Sequence, residues 1–518
     1  MPIHFLDLPP EILILIISHL DLPTLAACLA TNRLVKFIID DSTLLQYRLA
    51  AQASCVEDNP WNIEMESTHK LAALRKHQAF FEWAPTSICF IELDDIEPGN
   101  RHYMYGLSGC LFVIAELDSR FLRWISPAAT EPVLQRFKVP GCIQDITLAI
   151  PEEDLLVVVL SSDPLQDRIS ASDVVYELRF YEMSTQSAHR MAREPVMHVH
   201  ISGARRPDRF EGDICGPRFT LMINYFDAQD DATESIRSLL LIYDWKLGCL
   251  LKSFRNYSAA IFLSPDVLLL AQNFAETLEF EMWAVSQDTA VGPCISLLLP
   301  PPVKGGIYDI ICIVSKPKGD GSSASQAPFH SSFANSNVGF EIVFQLDGDI
   351  QEQLLLVISR RALLQLLPSV EDRGIVLLWN DRGPSIAQWL DKSVLNPGSS
   401  KTICGQRCAF IGPAGRIRLV DFNPYSYKQV LNTERDDSRQ MSIQTGLTNM
   451  VVSPRERNRA IGSGLFEEEV RSNLGYLVVE SAQGPTYSEV FMGDELIVGF
   501  KDTIHVDRKA SLYVWRLE

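Results

Sequence analysis

No long hydrophobic run exists in this chain. None approaches the ~20 residues that a bilayer-spanning helix needs, although 47% of the 518 residues are hydrophobic. Basic residues are missing where a secretory signal would carry them, and Asp7 and Glu11 flank an apolar run of only six residues, Ile12 to Ile17. No membrane partner is expected. Basic charge is short as well: 46 Lys and Arg stand against 65 Asp and Glu, a net charge of −19. A surface that tracks phosphates is basic, so no nucleic-acid partner is expected. The 11 cysteines are scattered and odd in number, which does not describe a disulfide framework. Free thiols without a signal suit a reducing compartment, cytoplasmic or nuclear. There the triplet Asn256-Tyr257-Ser258 would be idle as a glycosylation acceptor.

Catalytic and metal-binding patterns are missing too. The sequence has no His-Glu-x-x-His, no phosphate-cradling Gly-x-x-x-x-Gly-Lys-Ser/Thr, no dinucleotide Gly-x-Gly-x-x-Gly and no Gly-x-Ser-x-Gly elbow. Cys404 and Cys408 stand nearest to each other but have no second pair at zinc spacing, so they read as buried thiols. His198-Val199-His200 places two imidazoles on one face of a strand, with no carboxylate or thiol nearby in sequence. Gly462-Ser463-Gly464 reads as a flexible turn. No catalytic residue, metal or cofactor is assigned.

Against these absences stands one dense apolar stretch, Leu8-Pro9-Pro10-Glu11-Ile12-Leu13-Ile14-Leu15-Ile16-Ile17-Ser18-His19-Leu20. Ile12, Leu13, Ile16, Ile17 and Leu20 share a helical stripe, and Ile14 and Leu15 lie outside it. A short helix apolar almost all round needs cover on more than one side. Its neighbours in sequence can supply one side, and the other reads as a partner surface. Asp21 can cap a second helix that carries Leu25 and Leu29. Leu34, Phe37 and Ile38 continue the packing, and Asp40-Asp41-Ser42 starts another helix. Together these make roughly three or four short helices joined by tight turns.

Leu8-Pro9-x-Glu11-Ile12-Leu13-x-x-Ile16-x-x-x-Leu20, followed by Leu25 and Leu29, resembles an F-box over residues 4–48. The resemblance implies docking on a Skp-type adaptor, and through it a cullin ubiquitin ligase. It implies that Leu8, Pro9, Ile12, Leu15, Ile16, Leu20 and Leu25 form the adaptor-binding set. Residues 1–50 are taken as this module and 51–84 as a helical linker. The linker is helical from about Glu64 to Trp83, with Leu71, Leu74 and Phe81 on one side. Ala50-Ala51, Asp58-Asn59-Pro60 and the stretch Leu71 to Trp83 resemble the linker of fungal F-box proteins that carry a large β domain.

After Pro85 helical periodicity gives way to short apolar or alternating runs, about thirty of them, separated by Gly, Pro, Asp and Ser clusters. So many strands suit a β-propeller better than one sandwich, so 85–518 is expected to be all-β, with seven blades, or six or eight. In Leu239 to Leu251 an apolar strand ends in Tyr243-Asp244-Trp245, turns at Gly248 and resumes, and this resembles the end of a WD-type blade. Similar endings occur at Phe180-Tyr181-Glu182, Phe280 to Trp283, Leu378-Trp379, Val420-Asp421-Phe422 and Tyr513-Val514-Trp515. The last strand, Ser511 to Leu517, suits ring closure. Residues 316–337, 203–209 and 454–472 read as surface loops.

Three functions fit this reading. The first is a substrate receptor of a Skp–cullin–F-box ligase, non-catalytic, whose propeller binds a target protein. The second is a propeller scaffold without a ligase role. The third is a propeller enzyme, which would need carboxylates or histidines converging at the ring's centre.

Overall fold

The computed structural model describes residues 8–78, 88–93, 103–161, 174–201, 207–225, 237–285, 292–313, 328–367, 374–390, 401–428 and 444–516, apart from short gaps within these ranges. Four helices open the chain: α1 (Pro10–Ile17), α2 (Leu22–Thr31), α3 (Arg33–Asp41) and α4 (Thr43–Ala53). Helix α1 starts at Pro10 without a side-chain cap, and the starts of α2, α3 and α4 follow from side-chain caps that satisfy otherwise orphaned N–H groups. Thr24 N–H donates to Asp21 Oδ1 at 3.0 Å, Leu34 N–H to Asn32 Oδ1 at 2.8 Å and Leu45 N–H to Ser42 Oγ at 3.4 Å. Leu13, Ile17, Leu25, Val35, Ile38, Ile39 and Leu45 form one buried cluster among them. Arg48 reaches back from α4 and donates to Ser18 O at 2.7 Å, tying the last helix to the end of the first.

The linker does more than space two modules. Helix α4 runs through Ala53, beyond the expected boundary at residue 50. The strand Val56–Asp58 then pairs antiparallel with Phe329–Ser331, a strand inserted within the β domain. Helix α5 (Ser67–Gln78) follows and buries Leu71 and Leu74, as their spacing expected. Phe81 and Trp83 lie outside the described residues.

The β domain is a sequence of antiparallel meanders. Sheet one holds Tyr103–Ser108, Leu111–Glu116, Phe121–Ile125 and Gln135–Lys138. Sheet two holds Cys142–Ala149, Leu155–Ser161, Val174–Glu182 and Val196–Ile201, with the short Ser187–Ala188 beside its third strand. Sheet three holds Arg209–Cys215, Arg218–Asn224, Ser238–Asp244 and Cys249–Arg255. Sheet four holds Ala259–Ser264, Val267–Phe274, Thr277–Ala284 and Ile295–Leu298. Sheet five holds Gly306–Ile313, Asn337–Leu346, Asp349–Ser359 and Ala387–Leu390. Sheet six holds Lys401–Cys404, Arg407–Ile411, Ile417–Asp421, Tyr476–Glu480 and Val451–Arg455. Sheet seven holds Glu489–Met492, Leu496–Asp502 and Ala510–Arg516, completed by Ile88–Leu93 from ahead of sheet one.

That last pairing, Ile88 opposite Trp515 through Leu93 opposite Ala510, joins the two ends of the domain. The first strands of sheets seven, one, two, three, four and five touch in that order. Lys401–Cys404 of sheet six completes the circuit, packing on Asn337–Leu346 on one side and Glu489–Met492 on the other. The large all-β domain is therefore closed on itself, and most strands bury both faces between neighbouring sheets.

Aromatic-acidic endings mark the third strand of a sheet. Glu182, Asp244 and Asp421 close the third strands of sheets two, three and six, and Trp283 and Trp515 lie near the ends of those of sheets four and seven. At Asp244 the cause is visible. Its Oδ1 accepts Leu247 N–H at 2.9 Å across the turn, and its Oδ2 accepts Arg218 Nη1–H at 2.5 Å. Gly248 takes φ of 69°, where a side chain would be strained. Trp245 is fully buried and donates Nε1–H to Gly216 O at 2.8 Å.

Four expectations need correction. Leu378-Trp379 does not end a third strand: Ile375–Leu378 adds to sheet four in parallel beside Ile295–Leu298, and Trp379 begins a helix that ends at Ile386. Within 316–337, Phe329–Ser331 is the strand that grips the linker, and 316–327 lie outside the described residues. Within 454–472, Phe466 and Val470 are buried in the core between sheets four and five, so this segment is anchored by apolar side chains despite its charge. Gly203 to Arg206 lie outside the described residues, whereas Arg209 begins the first strand of sheet three.

Candidate functional site

Two surfaces have the character of binding sites: the outer side of the helical module and the central cavity of the ring. The first follows from how α1 divides its apolar residues. At 100° per residue, Leu13 and Ile17 point into the helical core, and they are 2% and 1% exposed. Ile12, Leu15 and Ile16 point away from it and are 43%, 58% and 39% exposed. The expected stripe is thus split between two faces, because neighbouring helices cover only one of them.

Of the residues implied for the adaptor, Pro9, Ile12, Leu15 and Ile16 are exposed, and Leu8 and Leu20 are half-buried. Leu25 is different. It is 1% exposed and belongs to the module's own core, so it supports the surface without forming part of it. The reason is its place on α2, turned into the cluster it shares with Leu13, Ile17, Val35 and Leu45. Leu34 and Phe37, expected to continue the packing, are 45% and 65% exposed. Helix α3 buries Val35, Ile38 and Ile39 and leaves Leu34 and Phe37 on the adjoining face. With Leu8, Pro10 and Ile14 they line a groove of about 340 Å³. The signal was present in the sequence: an apolar i, i+3 pair beside an already complete i, i+3, i+4 stripe.

The linker fixes where this surface sits. Asp58, at the end of Val56–Asp58, accepts from the Tyr47 hydroxyl of α4 and from Lys70 Nζ of α5 at 3.1 Å. Burial, and then the Asp58 carboxylate, push the Tyr47 phenol well above its ordinary range, so it stays a donor. Glu57 accepts from the Ser332 hydroxyl, Asn423 Nδ2–H donates to Ala53 O at 2.8 Å, and Arg407 donates to His77 O at 3.4 Å. Helices and ring are therefore connected by strand pairing and side-chain hydrogen bonds, in addition to the chain itself.

In the ring, the first strands of sheets one to four surround a cavity of about 970 Å³. Asp118, Asp145, Asp208, Glu211 and Asp213 line it, with Arg209. Five carboxylates thus line one cavity formed by four of the seven sheets. Several have structural partners: Arg209 Nε lies 3.1 Å from Glu211 Oε1, Phe262 N–H donates to Asp213 Oδ2 at 3.0 Å, and Gln144 Nε2–H donates to Asp118 Oδ1 at 2.9 Å. Burial raises the Glu211 carboxyl, and Arg209 opposes that shift. Gly212 permits the tight approach of two inner strands, since a Cβ there would fall 1.9 Å from Thr147 Oγ1.

His198 and His200 lie on the exposed face of Val196–Ile201, and His198 Nε2 is 3.9 Å from Glu177 Oε1 on the paired strand. Among the described residues, no group of three or more His, Cys, Asp or Glu is arranged to hold a metal ion. Cys404 and Cys408 are buried, and Cys404 Sγ donates to Asp494 Oδ1 at 3.0 Å.

Comparison with known proteins bears on the first surface. Residues 5–50 match the family model F-box-like. The F-box-like module thus coincides with α1 to α4 and their shared core. No curated protein matches the chain. Several solved structures are loosely similar to the chain. The WD40 domain of coronin from Toxoplasma gondii is 10% identical with a TM-score of 0.33, covering 81% of this chain and 92% of that one. A functionally unknown protein from Desulfotomaculum acetoxidans is 11% identical with a TM-score of 0.32, covering 64% and 89%. Apo AztD from Citrobacter koseri is 8% identical with a TM-score of 0.28, covering 74% and 90%.

Proposed function

We propose that this protein is the substrate-recognition subunit of a Skp–cullin–F-box ubiquitin ligase. The F-box-like module docks on a Skp-type adaptor, which joins it to a cullin. The ring, read as a seven-bladed propeller, holds the target protein. The reading rests on the outward apolar face of Ile12, Leu15 and Ile16, with the groove at Leu34 and Phe37, on a module matching the F-box-like family. Fully burying each such side chain contributes roughly 1.5–3 kcal/mol before the costs of association. The chain forms no covalent intermediate. It brings the captured protein near a conjugating enzyme and orients it, and the paired linker limits how far the two modules can swing. Its compartment is cytoplasmic or nuclear, where such ligases work.

A pull-down with a Skp-type adaptor tests this reading. Wild type is expected to bind. The variant carrying Ile12→Asp and Ile16→Asp is expected to lose binding and keep its circular dichroism spectrum. A folded wild-type chain that captures no adaptor would reduce the module to a helical cap on the ring.

A further inference from the structure

We infer that the outer edge of sheet one, the strand Gln135–Lys138, binds an extended acidic segment of a partner protein, whose carboxylates at alternate positions meet Arg123, Arg136 and Lys138. This goes beyond the receptor reading and does not depend on it.

The register of sheet one sets the site. Arg123 stands directly opposite Arg136, and Phe121 opposite Lys138, so all four side chains share one face. That face packs on sheet seven through Phe112, Ile114 and Ile125, which places the cations at the outer end of the seam between the two sheets. The guanidinium carbon of Arg136 lies 3.7 Å from the centroid of the Phe121 ring, which holds it in place without using its N–H donors. Among the described residues, no carboxylate pairs with Arg136 or Lys138.

Arg123 is the observation that points to a ligand. It is 7% exposed, and its Nε and Nη1 are buried without a hydrogen-bond acceptor among the described residues. Its one ion-pair contact is long, 4.0 Å from Nη1 to Glu116 Oε2. Buried donors left unmade are costly, and like charges directly opposite destabilise a strand pair. An anion between Arg123 and Arg136 relieves both costs. Exposed Arg and Lys on an edge strand are by themselves ordinary protection against aggregation, but that protection needs no buried guanidinium behind it.

The shape of the site selects the partner. Gln135–Lys138 is the last strand of its sheet, with a strand neighbour on one side alone among the described residues. Its free edge can accept an extended chain by strand addition. In such a chain residues two apart share a face, so carboxylates at alternate positions meet Arg136 and Lys138, and the first reaches Arg123. The net charge of −19 repels acidic chains from most of the surface, so this basic edge is a specific exception.

Fluorescence anisotropy on the full chain tests this with two short labelled peptides of equal composition, one alternating Glu and Thr and one with its Glu and Thr in separate blocks. The alternating peptide is expected to bind, and the block peptide to bind about fivefold weaker or less well still. Arg123→Met keeps the hydrocarbon stem and removes the charge. It should keep the melting midpoint of wild type and weaken the alternating peptide about tenfold or more. Arg136→Gln with Lys138→Gln changes exposed side chains only and should weaken it as much, which carries the test if Arg123→Met does not fold. Full affinity in either folded variant would overturn the inference, as would equal binding of the two peptides or no binding to folded wild type. Adaptor capture should be unchanged in both variants, and a wild type that binds the alternating peptide but captures no adaptor would defeat the receptor reading alone.

Discussion

Lys70 Nζ lies 3.1 Å from Asp58 Oδ2, joining α5 to the strand that anchors the module on the ring. The Lys70 side chain is only 8% exposed, so this carboxylate is its paired partner where little water reaches it. Tyr47 donates to the other oxygen of the same group. One side chain thus organises two helices around the linker strand. Asp58→Ala should leave the buried ammonium uncompensated and cost about 3–5 kcal/mol, less any relief from solvent at the exposed carboxylate. Thermal unfolding would register this as a lower midpoint. An unchanged midpoint would mean that Lys70 finds another partner.

Leu25 and Phe37 should separate structure from binding. Leu25→Ala removes a buried core side chain and should destabilise the module by about 2–5 kcal/mol. Phe37→Asp alters a side chain that is 65% exposed and should leave the melting curve in place. It should lower adaptor affinity by about tenfold or more, the equivalent of ~1.4 kcal/mol. Titration calorimetry beside thermal unfolding distinguishes the two, and full affinity in Phe37→Asp would remove the α3 groove from the docking surface.

The hairpin at Asp244 offers a test within the ring. Asp244→Ala leaves Arg218, whose side chain is 20% exposed, without its 2.5 Å partner and removes the acceptor for Leu247 N–H. A loss of about 2–4 kcal/mol is expected in urea unfolding. A loss below ~0.5 kcal/mol would show that the turn is held by Gly248 and Trp245 alone.

Burial pushes the Asp421 carboxyl above its ordinary 3.8, while Arg407 pulls it down. A carboxyl that holds its proton more tightly when folded makes stability fall as pH rises from the unfolded value through the folded one. Wild type should lose stability across that window, and Asp421→Asn should not. Urea midpoints measured in steps upward from about pH 4 decide the matter. Parallel curves would mean that Arg407 has cancelled the effect of burial.

Thiol reactivity gives a further check. Burial pushes Cys215 up to about 12 and Cys55 up to about 11. Little thiolate is present at neutral pH, so both should resist iodoacetamide in the native chain and react after unfolding. Mass spectrometry of timed samples reads the order. Early labelling of Cys55 would show that the junction between linker and ring opens.

The sequence alone determined what short-range physics can encode. Helical spacing and capping residues set α1 to α4, because both act within a turn or two of chain. Alternating runs and turn residues set the meanders, and the endings at Phe180-Tyr181-Glu182, Tyr243-Asp244-Trp245 and Val420-Asp421-Phe422, read as blade ends, fall at the ends of third strands, whereas Leu378-Trp379 does not. The apolar excess on α1 also signalled an unpartnered face. Tertiary structure decided everything that depends on distant partners. It turned Leu25 inward and Leu34 and Phe37 outward, since burial depends on which neighbour arrives. It paired Val56–Asp58 with Phe329–Ser331 and seated Ile88–Leu93 beside Ala510–Arg516, matches made by backbone groups that carry no sequence label. It set Ile375–Leu378 in parallel on an outer edge and drew Phe466 into a core from a charged segment. Ring closure also brought Asp118, Asp145, Asp208, Glu211 and Asp213 to one cavity, because residues far apart in the chain converge there only after the first strands have closed around an axis.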